Sequence, residues 1–293
     1  MTPISLAGTT PRNILLATDL TSRCDRAFDR AAQLARQWSA SLHVLHAIEA
    51  LPPAIPAGVD PDAYLRAHPD PTPVIVKTLE RLVGETPARI HVETLPVPAA
   101  ILAVAERENC DLIVLGESRD QLLGPLESTV EEVVRKASVS VLLVRTRPTR
   151  DYMRLVVGTD FTDEAKQALV RASGLFPTAA MQVVHAAWMP YTGLLNGTPS
   201  VGDKVMQQRG RLRALVDGSG IPAERSASIR IHAEAGAPAR VLERCTEDMD
   251  ADLLVIGAHT RGMVYDAVLG SSRAIIQGVT CDVLIVRAVR DAS

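Results

Sequence analysis

Aromatic side chains are scarce in this sequence, at 3% of 293 residues, although hydrophobic residues of all kinds make up 47%. Any core must therefore be built from Val, Leu, Ile and Ala. No apolar run approaches the about 20 residues that a membrane-spanning helix needs. The formal net charge of −3 also lacks the basic excess that drives binding to a nucleic-acid backbone. We expect neither a membrane protein nor a nucleic-acid-binding protein.

Cysteines are few, and their spacing is typical of neither a disulfide framework nor a zinc site. The chain begins MTPISLAGTTPRN, without the basic segment and apolar stretch of a signal peptide. These features predict a soluble protein of the reducing cytoplasm. The cysteines are Cys24, Cys110, Cys245 and Cys281.

The sequence contains the same pattern twice, in the same order and at a nearly constant offset. ILLATDLT at 14–21 returns as LVVGTDFT at 155–162, and LHVLHA at 42–47 returns as MQVVHA at 181–186. DLIVLG and VLLVR likewise return as DLLVIG and VLIVR. Such repetition predicts two tandem copies of one fold. We place the first domain at residues 1–147 and the second at 148–293.

Within each copy, short β-branched apolar runs alternate with stretches of helical periodicity. Continuously apolar strands separated by helices indicate a parallel sheet that is covered on both faces. The predicted fold is therefore α/β, with two doubly wound, Rossmann-like domains of five strands each. Ligands of such sheets bind beyond the carboxyl ends of the strands, where the strand order reverses. That rule places a site directly after strands one, two and four.

The loop after strand four of the second copy reads GAHTRGMVYDAVLGSS, from Gly257 to Ser272. One interpretation is a phosphate cradle, in which Gly257 turns the chain out of the strand and Gly270 permits close approach at the next helix. Backbone N–H groups and the helix dipole would then attract an anion. The other interpretation is an ordinary loop with a serine N-cap. The residues alone leave both open.

The spacing of this loop resembles the nucleotide motif of the universal stress protein family, G-x2-G-x9-G-[ST]. Gly257, Gly270 and Ser271 fall on motif positions, and Thr260 stands at the second glycine. The two TD pairs, the two HA pairs and the two VLxVR ends extend the resemblance over the whole chain. The resemblance implies the tandem form of this family, whose members include proteins that bind ATP and proteins that do not.

The last strand of each copy is a further point on which the resemblance bears. In single-copy members of the family, this edge strand commonly pairs two protomers. The resemblance therefore implies that residues 141–144 and 283–286 pair within one chain, which would cover two exposed sheet edges. The chain would then be its own pseudo-dimer, either as a monomer or as a homodimer of such chains.

The resemblance also assigns site residues in the second copy. Asp160, with Thr159, would bind ribose hydroxyls or help to hold Mg²⁺ on the phosphates, unless Asp160 only caps the next helix with Thr162. Ala186 would offer backbone groups to adenine. Thr260 would either take a positive φ, at a cost of about 1–2 kcal/mol, or donate its hydroxyl. The phosphate path would be lined by Gly257, His259, Thr260, Arg261 and Gly262, and closed by Gly270, Ser271 and Ser272.

The first copy differs at this loop, which reads GESRDQLLGPLEST from Gly116 to Thr129. The alignment of the following helix with its counterpart places Glu127 at the position of Gly270. A carboxylate beside a phosphate would repel it by roughly 1–4 kcal/mol per charge pair. We therefore predict that this loop is degenerate and that the first copy has no triphosphate site. Asp19, which follows strand one of this copy, would remain as a helix cap.

His185, at a strand end of the second copy, is predicted to be structural.

Three functions remain in competition. The leading hypothesis is a stress-response regulator that binds ATP or a related adenine nucleotide, with Mg²⁺, and signals to a protein partner by a change of conformation. The second is a nucleotide-free interaction scaffold. A dedicated enzyme is less favoured, because the Walker loop and the GxSxG elbow are absent. Slow ATP hydrolysis or autophosphorylation would still be open to such a site.

Overall fold

The computed structural model describes residues 10–48, 60, 69–116, 129–187, 201–258 and 274–287. The chain divides into two compact units, Pro11–Ala137 and a second unit that begins at Ser138. This division falls ten residues before the predicted repeat boundary at 147. The reason is that the last strand of the first repeat pairs inside the second unit.

The first unit is a parallel sheet with helices between its strands. Strand β1 lies between β2 and β4, and β3 pairs with the other side of β2, in the order β3-β2-β1-β4. Its strands are β1 (Asn13–Ala17), β2 (Ser41–Ala47), β3 (Ala88–Glu93) and β4 (Leu112–Gly116). Its helices are α1 (Ser22–Trp38), α2 (Thr72–Val83), α3 (Val97–Arg107) and α4 (Thr129–Lys136).

The second unit repeats this order with two further strands, as β5-β10-β9-β6-β7-β8. Its strands are β5 (Ser140–Val144), β6 (Arg154–Gly158), β7 (Ala180–Ala187), β8 (Arg230–Ala235), β9 (Leu253–Gly257) and β10 (Asp282–Val286). Its helices are α5 (Asp163–Leu175), α6 (Val201–Asp217), α7 (Ala223–Ser228), α8 (Pro238–Asp248) and α9 (residues 274–278). The predicted α/β class and parallel sheets are confirmed.

The sequence explains these elements locally. The central strands are buried along almost their whole length, as in NILLA of β1 and LLVIG of β9, because helices cover both faces. Helix α1 buries a stripe at Ala27, Ala31 and Leu34, which follows helical spacing. It ends at Ser39, whose φ of 55° supplies a left-handed cap. No helix in the described part of the chain is long and apolar enough to span a membrane.

Strand β5 pairs antiparallel with β10, as predicted, with Leu142 opposite Leu284. At the start of β10, the Asp282 carboxylate is fully buried and accepts hydrogen bonds from residues that follow β5. Its Oδ1 accepts from the backbone N–H groups of Arg145 and Thr146, at 2.8 and 3.0 Å. Its Oδ2 accepts from the Tyr152 hydroxyl at 2.6 Å. This carboxylate therefore fixes the chain that connects the two repeats.

A second carboxylate fixes the start of β6. The Oδ2 atom of Asp252 accepts from the N–H groups of Met153 and Arg154, at 2.8 and 2.9 Å. Burial raises the pKa of Asp252, but these bonds and the Arg150 guanidinium outweigh burial and leave the pKa below 3.8. Asp111 does the same in the first unit, where its Oδ2 accepts from the N–H groups at the start of β1.

Candidate functional site

Four of the predicted site residues lie at one edge of the second sheet. Thr159 and Asp160 follow β6, Ala186 is near the end of β7, and Gly257 ends β9. Strand β6 pairs with β7 on one side and β9 on the other, so the chain order reverses here. This is the position at which doubly wound sheets bind their ligands.

The turn after β6 is held by side-chain hydrogen bonds. The Thr159 hydroxyl accepts from the N–H of Phe161 at 3.1 Å, and Phe161 has a φ of 68°, rare for a bulky residue. Asp160 Oδ1 accepts from both the N–H and the hydroxyl of Thr162, at 3.1 and 2.6 Å. Thr162 itself is the N-cap of α5 and accepts from Ala165 N–H at 3.3 Å. Asp160 therefore supports the cap and is not the cap.

The first copy builds the same turn. Thr18 accepts from the N–H of Leu20, whose φ is 61°, and Asp19 Oδ1 accepts from the N–H and hydroxyl of Thr21 at 2.9 and 2.7 Å. The prediction that Asp19 caps the helix is wrong, because Thr21 occupies the N-cap position. Burial raises the pKa of Asp19, but the Thr21 and Cys24 hydrogen bonds lower it below 3.8 overall.

The backbone of Ala186 points to the side of β7 on which β6 has ended. Two residues earlier, the Val184 carbonyl accepts from Thr159 N–H at 2.9 Å, which is the last backbone bond from β7 toward β6 among the described residues. Because backbone groups alternate along a strand, Ala186 faces the same way as Val184. Ala187 faces the other way, and its carbonyl accepts from Gly236 on the β8 side. The Ala186 N–H and carbonyl are thus directed at the open edge beside Asp160.

Gly257 is glycine because α5 passes close to the end of β9. A Cβ atom there would lie 2.7 Å from the backbone carbon and oxygen of Glu164 and 2.8 Å from the nitrogen of Ala165. The sequence predicts instead that Gly257 lets the chain turn out of the strand. Its φ is outside the left-handed region, so close packing is the operative reason.

His185 is structural, as predicted, and belongs to a stack that sequence reasoning missed. Its Nδ1 donates to the Thr159 carbonyl at 2.8 Å. The Phe161 ring lies 4.4 Å from the His185 ring, and the Arg211 guanidinium carbon is 4.1 Å from the Phe161 centroid. Burial lowers the pKa of His185, and the Arg211 charge adds to this. The sequence around His185 does not predict this stack, because Arg211 belongs to helix α6, 50 residues after Phe161.

The remaining predicted contacts lie outside the described residues. In the first copy, the same holds for Glu127 and most of its loop. In the second copy, the residues concerned are His259, Thr260, Arg261, Gly262, Gly270, Ser271 and Ser272.

The described helices nevertheless correct the alignment of Glu127. The N–H of Ala137 donates to the Val133 carbonyl, and the N–H of Val279 donates to the Ile275 carbonyl at the equivalent point. Both pairs are offset by 142 residues, the same offset that relates Leu142 of β5 to Leu284 of β10. Continued along the sequence, this offset matches Gly270 with Ser128. Glu127 therefore belongs one position earlier, and the glycine is replaced by serine.

The first unit contains a cavity of about 600 Å³ at the carboxyl ends of β1, β2 and β4. Its polar lining includes the half-buried His46, whose Nδ1 donates to the Thr18 carbonyl at 2.9 Å. The predicted loss of the triphosphate site in this copy depends on residues 117–128, which lie outside the described residues, and it stays a prediction. The cavity is lined by Ala17, Thr18, Asp19, Cys24, Leu45, His46, Ala47, Ile48, Val97, Ile101, Leu115, Gly116, Thr129 and Val130.

Comparison with known proteins gives two matches within the chain to the same family. The model of the universal stress protein family matches residues 10–145 and again residues 151–287. Universal stress protein A homolog 1 of Coxiella burnetii is 31% identical over 143 residues, which is 45% of this chain and 95% of the relative.

Solved structures share the fold over nearly the whole chain. A universal stress protein from Archaeoglobus fulgidus has a TM-score of 0.67 at 19% identity and covers 98% of this chain and 100% of its own. A putative universal stress protein from Pseudomonas aeruginosa has a TM-score of 0.64 at 18% identity, covering 96% of this chain and 95% of its own.

Proposed function

This chain belongs to the universal stress protein family, in its tandem form, and we propose that it is a stress-response regulator that binds an adenine nucleotide in its second copy. ATP with Mg²⁺ is the ligand that we favour. Binding would order the surface around the site, which a protein partner would then recognise. Such a signal requires only that the ligand bind one conformation better than another. We infer that the protein acts in the cytoplasm.

The observation that carries this proposal is the shared edge of Thr159, Asp160, Ala186 and Gly257. The Asp160 side chain is exposed at that edge, and its Oδ1 already holds the Thr162 turn. A ribose would lie between this carboxylate and the backbone of Ala186. In sequence, Gly257 opens the segment that would enclose the phosphates, up to Gly270, Ser271 and Ser272.

A nucleotide-free scaffold is the second candidate. It is favoured by the identical hydrogen-bonded turns of Asp19 and Asp160, since a turn that both copies need for folding does not require a ligand. In that case the two copies would serve as interaction surfaces alone.

The first experiment is to denature the purified protein and quantify released adenine nucleotide per chain, followed by titration of the emptied protein with Mg-ATP. We expect about one equivalent. Two equivalents would contradict the predicted loss of the first site. Neither release nor uptake would favour the scaffold.

A matched pair of variants then locates the site. Asp160→Asn keeps an oxygen that accepts from Thr162 but removes the charge, so the turn survives and nucleotide affinity should fall about tenfold or more. Asp19→Asn makes the same change in the first copy and should leave the affinity unchanged. The opposite pattern would move the nucleotide to the first copy.

A further inference from the structure

A cluster of metal-ligating side chains lies in the first unit and shares no residue with the candidate nucleotide edge of the second copy. His43 of β2, His91 of β3 and Glu108 directly after α3 place one ligand atom each within 4.8 Å of one another. His43 Nδ1 is 3.0 Å from His91 Nε2 and 3.9 Å from Glu108 Oε2. We propose that these three residues form a binding site for a divalent first-row transition metal, with Zn²⁺ as the representative ion.

The sheet register explains why the two histidines meet. His91 is opposite Leu45 in the parallel ladder, and His43 lies two residues before Leu45 on the same face of β2. The imidazoles thus form a diagonal pair and stack, with ring centroids 5.2 Å apart and an angle of 18° between their planes. His43 is only 1% exposed, so packing fixes its ring in this position.

The third ligand is held by the rigid end of helix α3. Glu108 is the last residue before a left-handed turn at Asn109, where φ is 49°. The next N–H, of Cys110, bonds back to the Ala105 carbonyl at 2.8 Å and closes this turn. Glu108 therefore enters the cluster from a fixed backbone, and a ligand set of two imidazoles and a carboxylate is one that zinc accepts.

The spacing of the ligand atoms suits a tetrahedral ion. Metal–nitrogen bonds of about 2.0–2.1 Å separate neighbouring tetrahedral ligands by roughly 3.3–3.4 Å. The distances of 3.0 Å from His43 to His91 and 3.9 Å from His43 to Glu108 lie on either side of this value. Small side-chain rotations would bring all three atoms onto one ion and leave its fourth position for water.

The proton between the histidines must move for the ion to bind. A guanidinium can only donate, so the 3.4 Å contact from Arg107 Nη2 makes His91 Nδ1 the acceptor. Neutral His91 then carries its proton on Nε2 and donates it to His43 Nδ1. On binding, that proton shifts to His91 Nδ1, and Arg107 Nη2 turns from the ring while it keeps its bond to Glu93 Oε1. Both facing nitrogens then become free for the metal. No net proton is released.

The surrounding charges leave room for the cation. Arg107 remains bound to Glu93 Oε1 at 2.7 Å and to Glu108 Oε1 at 3.2 Å. The bond to Glu108 orients that carboxylate with its Oε2 atom toward the histidines. Such an outer partner is typical of metal carboxylates. Arg89 is 3.9 Å from the same Oε2, but its side chain is 73% exposed, so it can withdraw into water.

The second copy contains a different cluster around the equivalent histidine. His232 is opposite Val184, as His91 is opposite Leu45, but Gln182 replaces His43 and Met249 replaces Glu108. Its neighbours are Glu234 and the buried Cys245. Burial raises the pKa of Cys245 to about 11, so its thiol is a poor ligand at neutral pH. Of the two three-ligand clusters among the described residues, the one in the first copy avoids this cost.

The test is a titration of nucleotide-free, chelator-treated full-length protein with ZnCl₂, measured by calorimetry. We expect one equivalent to bind and to raise the melting temperature. His43→Gln and Glu108→Met, which both install the second-copy residue, should each weaken binding more than about 100-fold. His232→Gln is the matched control and should bind like the wild type. Circular dichroism shows whether each variant is folded, and Glu108→Met serves if His43→Gln does not fold.

Absorption spectra with Co²⁺ separate the two clusters. Ligation by nitrogen and oxygen gives d–d bands without a thiolate charge-transfer band. A wild type that binds no Zn²⁺, binding that survives in Glu108→Met and His43→Gln, or a thiolate band that disappears in Cys245→Ser would each overturn the proposal. Because neither histidine belongs to the nucleotide edge, these outcomes are independent of nucleotide binding.

Discussion

Replacing Gly257 by alanine tests whether β9 and α5 are packed as closely as the structure indicates. The new Cβ would meet backbone atoms of Glu164 at 2.7 Å and of Ala165 at 2.8 Å. Real Cβ atoms essentially never approach so closely, and backbone in the first turn of a helix cannot rotate away like a side chain. The strand end or the helix must therefore shift.

The expected loss is the cost of overpacking a well-packed interior, about 1–3 kcal/mol in the free energy of unfolding. For a unit of this size that corresponds to a melting temperature lower by roughly 2–12 °C. Gly210→Ala in α6 is the matched control, because nothing lies within 4 Å of the added methyl group. That exposed helical site should gain about 0.8–1 kcal/mol instead.

Urea denaturation followed by tryptophan fluorescence measures both variants. The chain has two tryptophans, Trp38 in α1 and Trp188, which follows β7 in sequence. In a Trp38→Phe background the remaining signal comes from the second unit. If Gly257→Ala unfolds at the same urea concentration as its parent, the close approach of β9 and α5 is not needed for stability, and our account of Gly257 is refuted.

Three further predictions concern buried or half-buried polar groups. Tyr152→Phe removes a hydrogen bond to the buried Asp282 carboxylate and should lower the free energy of unfolding by about 1.5–3 kcal/mol; an unchanged urea midpoint would contradict this. The pKa of His185, measured by NMR titration, should lie below 6.5. The neutral imidazole therefore contributes stability that is present above pH 6.5 and lost as the pH falls through the folded-state pKa. A measured pKa at or above 6.5 would disprove this prediction. The lowered pKa of Asp252 contributes stability that is present above pH 3.8 and lost as the pH falls through the folded-state pKa. Asp252→Asn should therefore flatten acid unfolding in that range, and an unaltered pH profile would count against the role of this carboxylate.

Sequence reasoning succeeded where the signal was local or repeated. The parallel sheets followed from apolar runs such as those at β1 and β9, whose burial pattern is visible in neighbouring residues. The pairing of β5 with β10 followed from the family resemblance and from the exposed edges that it covers. The same reasoning was wrong about the position of Glu127, because it shifted the helix before β5 by one residue against its counterpart, and the backbone hydrogen bonds of the two helices were needed to fix the offset.

The sequence is enough to predict the tandem repeat, the order of strands and helices, and the edge at which Asp160 and Gly257 lie. What those residues contact becomes known from the packing of the folded chain. Position 257 requires glycine because of a helix turn about 90 residues earlier in the chain. His43 meets His91 through the strand register and Glu108 through the position of a helix end. Periodicity and composition report whether a residue is buried, since that depends on its neighbours in sequence. They do not report which distant side chain shares its space, because that depends on how separate elements pack in three dimensions.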